Sequence, residues 1–88
     1  MKASHILVAT EMEAKRILDE IKHEDITFEE GARTFSICPS KRHSGDLGEF
    51  KKGTMAKPFE NMYYKLKTWQ ISEPVKTEFG WHVIKRTG

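Results

Sequence analysis

The chain has 88 residues, which suffices for one compact domain with a modest hydrophobic core. Hydrophobic residues make up 38% of it, and its 15 Lys and Arg are interspersed with 13 Asp and Glu, giving a formal net charge of +2. This composition excludes a disordered chain, the short apolar runs exclude a transmembrane helix, and the weak charge does not favour a nucleic-acid partner.

The location of the protein is predicted from its cysteine content and its first residues. Cys38 is the only cysteine and cannot form an internal disulfide, which is typical of a reducing compartment. The start of the chain lacks the apolar stretch and the cleavage-like site of a signal peptide. We therefore expect a cytoplasmic protein.

The first half of the chain predicts one strand followed by helices. Residues 6–8 are apolar and form a short buried strand directly after His5. Pro39 ends the helical region or begins another turn, because proline is tolerated at helix starts and not in their interiors. Two capping-box patterns predict a helix over 11–23 and a shorter second helix that carries Phe28, Ala32 and Phe35: Thr10 with Glu13, and Thr27 with Glu30.

The second half predicts a loop, a brief strand, a helix and two strands. Residues 41–48 are rich in glycine and charge, which indicates a loop, and residues 47–50 are a short strand. Pro58 fits the first turn of a helix whose apolar side carries Phe59, Met62, Tyr63 and Leu66. Residues 75–78 are extended, and 81–85 alternate between two faces after a tight turn. The order of elements predicts an α+β fold.

Several segments in this order resemble the parvulin family of peptidyl-prolyl cis/trans isomerases, or rotamases. They are SHILV at 4–8, SICPS at 36–40, SGDLGEF at 44–50, KKGTMAKPFE at 51–60 and FGWHVIK at 79–85. The resemblance covers essentially the whole chain. It implies a single domain over residues 1–88, with the order β-α3-β-α-β2 and a four-stranded antiparallel sheet flanked by helices. It also implies a monomeric isomerase that needs no cofactor and acts on X-Pro bonds in unfolded or flexible segments of client proteins.

The resemblance assigns an apolar group of residues to the grip on the proline ring. Leu47, Met55 and Phe59 lie in the segment that aligns with the proline pocket of the family, and Phe79 is a fourth candidate that would narrow the mouth. Met55 and Phe59 are four residues apart, which would place them on one side of a helical turn. From spacing alone, ordinary core is the favoured interpretation of Leu47, Met55 and Phe59, and the resemblance reverses this preference.

The polar side of the site is assigned to His5, Cys38, Thr77 and His82. If the strands that carry the two histidines are neighbours, their imidazoles can hydrogen-bond, and Thr77 aligns with a family hydroxyl in the same network. The alternative is a purely structural histidine pair. Cys38 is expected to tune polarity near the substrate carbonyl rather than to attack it, since no acidic residue is recognisable that would orient a base; it could also simply pack. The histidines and the cysteine lack the spacing of metal ligands.

The specificity that the sequence predicts is not directed to phosphate. In the phosphate-directed branch of parvulins, a long basic loop between the first strand and the first helix binds phosphoserine or phosphothreonine. Here that connection is only residues 9–10. A basic cluster at residues 41–43 is expected beside the pocket, where it would contact acidic residues before the proline or remain a hydrated loop.

One alternative concerns the function of the chain and a second concerns the placement of Trp69; both stay open at this point. A non-catalytic peptide-binding or chaperone-like module could use the same groove. Residues 67–71 depart from the family, which usually turns with a glycine there, and this predicts a different helix ending. Trp69 would then fold back onto the edge of the sheet or remain exposed as a contact for a partner.

Overall fold

A computed structural model describes residues 1–88 and contains three α-helices, a short 3₁₀ helix and four β-strands. The four strands form one antiparallel sheet, so the predicted α+β fold is confirmed. In chain order, the elements are β1 (Lys2–Val8), α1 (Glu11–Lys22), α2 (Phe28–Phe35), the 3₁₀ helix (Pro39–His43), β2 (Asp46–Glu49), α3 (Lys57–Lys65), β3 (Val75–Thr77) and β4 (Gly80–Arg86).

The starts of α1 and α2 are fixed by threonine caps. The Thr10 hydroxyl accepts the backbone N–H of Glu13 at 3.2 Å, and it donates to the Glu13 carboxylate at 3.0 Å. At α2 the capping box is complete, because Thr27 accepts the N–H of Glu30 and the Glu30 carboxylate accepts the N–H of Thr27, both at 3.0 Å. Each cap satisfies amide groups that the first helical turn leaves without partners.

The segment after α2 differs from the predicted loop. Pro39 opens a 3₁₀ helix that extends to His43, so residues 41–43 are helical and not loop. Proline is suited to this first position because it lacks the N–H that the helix would leave unpaired. A Cβ at Gly45 would lie 2.5 Å from the carbonyl oxygen of His5, so only glycine allows the chain to approach β1 this closely before β2 begins.

The sheet has the order β2-β1-β4-β3, and helices cover both faces. β1 starts earlier than predicted, so His5 lies within the strand and not before it. One face packs against α1 and α2; the other packs against α3 and carries the candidate site. The buried residues of the first face include Ile6, Val8, Ile17, Leu18, Phe28 and Val83. Those of the second include Ala3, Phe50, Phe59, Tyr63, Val75 and Ile84.

The connection from α3 to β3 lies along the edge of the sheet. α3 ends at Lys65, and the Arg86 guanidinium donates to the carbonyl oxygen of Leu66 at 2.8 Å. The N–H of Trp69 bonds to the carbonyl oxygen of Arg86, and Ile71 forms a bridge with Lys85. The backbone of Trp69 therefore lies at the sheet edge, but its side chain is 65% exposed. The Nζ atom of Lys85 nevertheless lies 5.7 Å from the centre of the indole ring, so the side chain is placed against β4 at the sheet edge while most of its surface stays exposed.

The longest helix has 12 residues, and no helix has both the length and the hydrophobicity needed to span a bilayer.

Candidate active site

An apolar cavity of about 440 Å³ opens beside α3, on the face of the sheet that this helix covers. It brings together residues from β1, β2, α3, β4 and the connecting segments. Of the predicted site residues, all but Thr77 line it: His5, Cys38, Leu47, Met55, Phe59, Phe79 and His82. Sequence reasoning did not find the other lining residues, which are Leu7, Ile37, Pro39, Thr54 and Ala56.

Phe59 is both a wall of the cavity and a member of the core. It is 1% exposed, and its ring meets the ring of Phe50 edge-on, with centroids 6.1 Å apart. Its ring also lies nearly perpendicular to those of His5 and His82, at centroid distances of 5.8 and 5.5 Å. The core and binding interpretations of this residue are therefore compatible.

Met55 lies in the loop before α3 and not on a helical turn. The helix begins at Lys57 with Ala56 as its N-cap, so the expected helical pairing of Met55 with Phe59 is wrong. Met55 nevertheless lines the same cavity as Phe59 and is half-buried. Leu47, from β2, is half-buried on the same cavity wall.

The two histidines lie on neighbouring strands. β1 pairs with β4 so that Leu7 is opposite His82 and His5 is opposite Ile84, which makes the histidines diagonal neighbours on one face. Their Nδ1 atoms are 2.9 Å apart in a buried hydrogen bond. Nε2 of His82 is 2.6 Å from the Thr77 hydroxyl. Thr77 therefore does not line the cavity itself but bonds to a histidine that does.

The positions of the protons in this hydrogen-bonded network of Thr77, His82 and His5 can be assigned by counting donors and acceptors. The Thr77 oxygen accepts the N–H of Phe79 at 3.2 Å, and its hydrogen is then available to Nε2 of His82. Nδ1 of His82 consequently carries a proton and donates it to Nδ1 of His5. In the opposite arrangement, Nε2 of His82 would donate to the Thr77 oxygen, and the hydroxyl hydrogen of Thr77 would have no partner. In the favoured arrangement the proton of His5 is on Nε2, which is buried and has no protein partner.

Burial keeps both imidazoles neutral. It lowers the pKa of His5 to about 4, with a further lowering from the charge of His82. Burial likewise lowers the pKa of His82 to about 4. At neutral pH the pair therefore contributes hydrogen-bonding dipoles and no net charge to the cavity wall.

Cys38 lies on an extended segment that is attached to the end of β1. The Ser36 hydroxyl accepts the N–H of Leu7 at 3.1 Å and the N–H of Cys38 at 3.3 Å. The N–H of Ile37 donates to the Leu7 carbonyl oxygen at 2.8 Å. These bonds bring Cys38 and Ile37 to the cavity. The alternation of β1 places Leu7 on the same face as His5, and this signal could have identified Leu7.

The mouth of the cavity is apolar. Ile37 and Phe79 line it while remaining 61% and 64% exposed. No lysine or arginine is among the lining residues. The predicted placement of the basic cluster at residues 41–43 beside the pocket is wrong: these residues continue the 3₁₀ helix, none of them lines the cavity, and His43 instead lines a separate polar cleft with Asp46 and Trp69.

The site thus combines an apolar cavity with a buried, neutral chain of polar groups on one wall. An apolar cavity disfavours polar resonance forms of a bound group relative to less polar ones. Neutral imidazoles add directional donors and acceptors without a charge. No group of three or more His, Cys, Asp or Glu side chains is arranged to hold a metal ion.

The chain is similar to known proteins in both sequence and structure. The sequence model of the rotamase family, described as a PPIC-type PPIase domain, matches residues 5–88. Foldase protein PrsA 1 of Bacillus cereus is 49% identical over 88 residues, in an alignment that covers 99% of this chain and 30% of the relative.

Two solved structures are also similar. The crystal structure of peptidylprolyl isomerase (PrsA) from Bacillus anthracis is 48% identical, with a TM-score of 0.96, covering 100% of this chain and 41% of that one. The solution structure of NmPin, the parvulin of Nitrosopumilus maritimus, is 45% identical, with a TM-score of 0.86, covering 100% of this chain and 95% of that one. The chain therefore spans less than half the length of the PrsA proteins and nearly all of the small parvulin.

Proposed function

Because the chain belongs to the rotamase family of PPIC-type PPIase domains, we propose that residues 1–88 form a single peptidyl-prolyl cis/trans isomerase domain. Its substrates are X-Pro bonds in unfolded or flexible segments of client proteins, and it needs no cofactor. One observation carries this proposal: Leu47, Met55 and Phe59 line an apolar cavity that has a hydrogen-bonded histidine pair on its wall.

The proposed mechanism follows from the resonance of the peptide bond. Rotation about the C–N bond has a barrier of about 18–20 kcal/mol because twisting removes that resonance. The twisted amide is less polar than the planar one, so an apolar cavity stabilises it relative to the ground state. A thousandfold acceleration requires about 4 kcal/mol of such differential stabilisation.

The apolar residues are assigned to the proline ring. Phe59 offers a flat wall that its core contacts hold rigid, and Met55 adapts to the ring from the loop before α3. Leu47 completes this group, and Phe79 narrows the mouth. Together they would hold the ring while the preceding carbonyl group swings.

The polar residues are assigned to the amide that rotates. Cys38 lies beside the carbonyl group and sets the local polarity, without a covalent step. His5, His82 and Thr77 form a positioning network that orients the polar wall and keeps it neutral. None of these roles requires a proton to be transferred.

The proposed specificity is not directed to phosphate. The connection between β1 and α1 is residues 9–10 alone, and no cationic side chain lines the cavity. A phosphate next to the proline would therefore lack the arginine or lysine partners that bind such groups.

An isomerisation assay on short peptides tests the proposal. Peptides with Ala, Leu, Phe or phosphoserine before proline are followed by protease-coupled measurement or exchange NMR. We expect the isomerisation of the neutral peptides to be accelerated. We expect no greater acceleration for the phosphoserine peptide than for the neutral ones. Rates equal to those in buffer for every peptide would refute the isomerase; a strong preference for phosphoserine would refute only the specificity.

A second candidate is a non-catalytic, chaperone-like module that binds peptides in the same cavity. One observation favours it: the chain is 47% identical, with a TM-score of 0.90, to a solved structure of Campylobacter jejuni that is described as a SurA-like chaperone. The module would bind proline peptides without changing their exchange rate, which the same NMR measurement detects.

The proposal extends to location and assembly. A single half-buried cysteine fits a reducing compartment, so we propose a cytoplasmic protein. Cell fractionation with an antibody would contradict this if the protein were found outside the cytoplasm. We also propose a monomer, which sedimentation equilibrium would contradict by a mass above 10.2 kDa.

A further inference from the structure

The loop between β2 and α3 supplies part of the cavity wall but has little support of its own. Thr54 and Met55 line the cavity, but Lys51, Lys52, Gly53 and Thr54 are all exposed. Gly53 has a φ of +88°, which allows the chain to turn back towards α3. A loop of this kind needs an anchor if Met55 is to keep one position.

Glu60 provides that anchor. It lies in the first turn of α3 and is only 7% exposed. Its Oε2 accepts the N–H of Gly53 at 2.8 Å and the N–H of Met55 at 3.0 Å, and its Oε1 is 3.0 Å from the same Gly53 nitrogen. These are charge-assisted hydrogen bonds, which are stronger than those between neutral groups.

The carboxylate has no other partner that would explain its burial. None of the salt bridges involves Glu60. A buried carboxylate is costly unless hydrogen bonds compensate for the lost water, and here the loop amides supply them. The N-terminus of α3 also favours a negative charge, since Ala56 gives it no side-chain cap.

We propose that Glu60 is a positioning residue for proline binding, because it fastens the Met55 loop to the helix that carries Phe59. Phe59 is the residue immediately before Glu60, so the carboxylate fixes the position of Met55 relative to Phe59 in the cavity lining. This inference rests on the proposed isomerase function and deepens it.

Two substitutions separate this role from a simple effect of charge on the helix. Glu60→Gln removes the charge but keeps one carbonyl oxygen, which can occupy the position of Oε2 and accept both amides. Glu60→Met keeps the length of the side chain and removes both acceptors. If only the charge matters, the two variants lose the same amount.

We expect the Gln variant to retain kcat/KM within about threefold and the Met variant to lose about tenfold or more, as a misplaced binding group does. The loss should appear mainly in KM, because Met55 grips the ring in the ground state and the transition state alike. Asn61→Ala, an exposed change in the same turn of α3, is the matched control and should leave both constants unchanged.

Amide hydrogen exchange gives a readout that is independent of activity. In the wild type, the amides of Gly53 and Met55 should be protected although the loop is largely exposed. In the Met variant their exchange should accelerate about tenfold or more relative to the β1 and β4 amides, which report global stability.

The outcomes distinguish the two proposals. A wild type without isomerase activity defeats the proposed function, while the exchange measurement still decides whether Glu60 holds the loop. Unchanged protection of Gly53 and Met55 in the Met variant overturns the positioning role. Equal losses in the Gln and Met variants, in step with global stability, would likewise overturn it and assign Glu60 to helix stability.

Discussion

The buried histidine pair makes the folded protein sensitive to mild acid. Burial holds the pKa of His5 and of His82 at about 4, whereas the ordinary value is 6.5. Between these values the unfolded chain binds more protons than the folded chain, so the free energy of unfolding rises with pH. The stabilisation that comes from keeping the histidines neutral is complete at pH values above their ordinary pKa. It is lost as the pH falls towards their pKa in the folded protein.

Urea unfolding at several pH values measures this effect. We expect the free energy of unfolding to fall by on the order of 2–4 kcal/mol between about pH 7 and pH 5, a range above the ordinary pKa of carboxyl groups. A flat stability over that range would show that the imidazoles are not held neutral by burial, and the proton assignment would then be wrong.

A change of one atom at Cys38, from sulfur to oxygen, should affect the rate of exchange and not the affinity for the peptide. Replacing it by Ser puts a more strongly hydrated group beside the amide, which favours the planar, polar state. We expect exchange to slow by about tenfold, equivalent to about 1.4 kcal/mol in the barrier, with peptide affinity nearly unchanged. Exchange NMR and a peptide titration give the two quantities.

The Cys38→Ala variant is the matched comparison. It removes the sulfur without adding a polar group, so it should be faster than the Ser variant. If the Ser variant loses affinity as much as it loses rate, Cys38 contributes to binding and the polarity role is refuted.

At the scale of elements, the turn after α3 keeps a left-handed residue without a glycine. Trp69 has a φ of +73°. Lys67 and Gln70 close the turn with a hydrogen bond of 3.0 Å between the Gln70 N–H and the Lys67 carbonyl oxygen. α3 stops at Lys65, so the left-handed residue belongs to the turn and not to the helix end.

A pair of substitutions at Trp69 tests whether the backbone or the side chain matters there. Trp69→Val keeps a Cβ at a positive φ and should be less stable than the Gly variant by about 1–2 kcal/mol. Trp69→Gly fits that conformation and should change stability by less than about 0.5 kcal/mol. Urea unfolding measures both, and equal losses in the two variants, which both lack the indole, would show that its contact with Lys85 dominates.

Local signals explain how much of the architecture was predictable. The threonine caps placed the starts of α1 and α2 correctly, since the cap and its glutamate are three residues apart. Four-residue spacing predicts a helical position for Met55 because it does not reveal where α3 begins. The sequence predicts a loop at residues 41–43 because these residues of the 3₁₀ helix lack apolar periodicity.

At the scale of the whole molecule, the cavity depends on contacts between distant parts of the chain. His5 and His82 are 77 residues apart, and only the pairing of β1 with β4 brings their rings together. Ile37 reaches the mouth through a bond to Leu7, which no local pattern indicates. The resemblance to parvulins supplied the long-range information that spacing could not. Of the remaining lining residues, Leu7 had a local signal in the alternation of β1.

The most direct test of the account is a titration of the ¹⁵N-labelled protein with an Ala-Pro peptide, observed by heteronuclear NMR together with exchange spectra of the peptide. We predict that the largest shift changes fall on Leu47, Met55 and Phe59, and that cis/trans exchange peaks of the peptide appear at the same time. Shift changes centred on the cleft of His43, Asp46 and Trp69, with no exchange peaks, would contradict it.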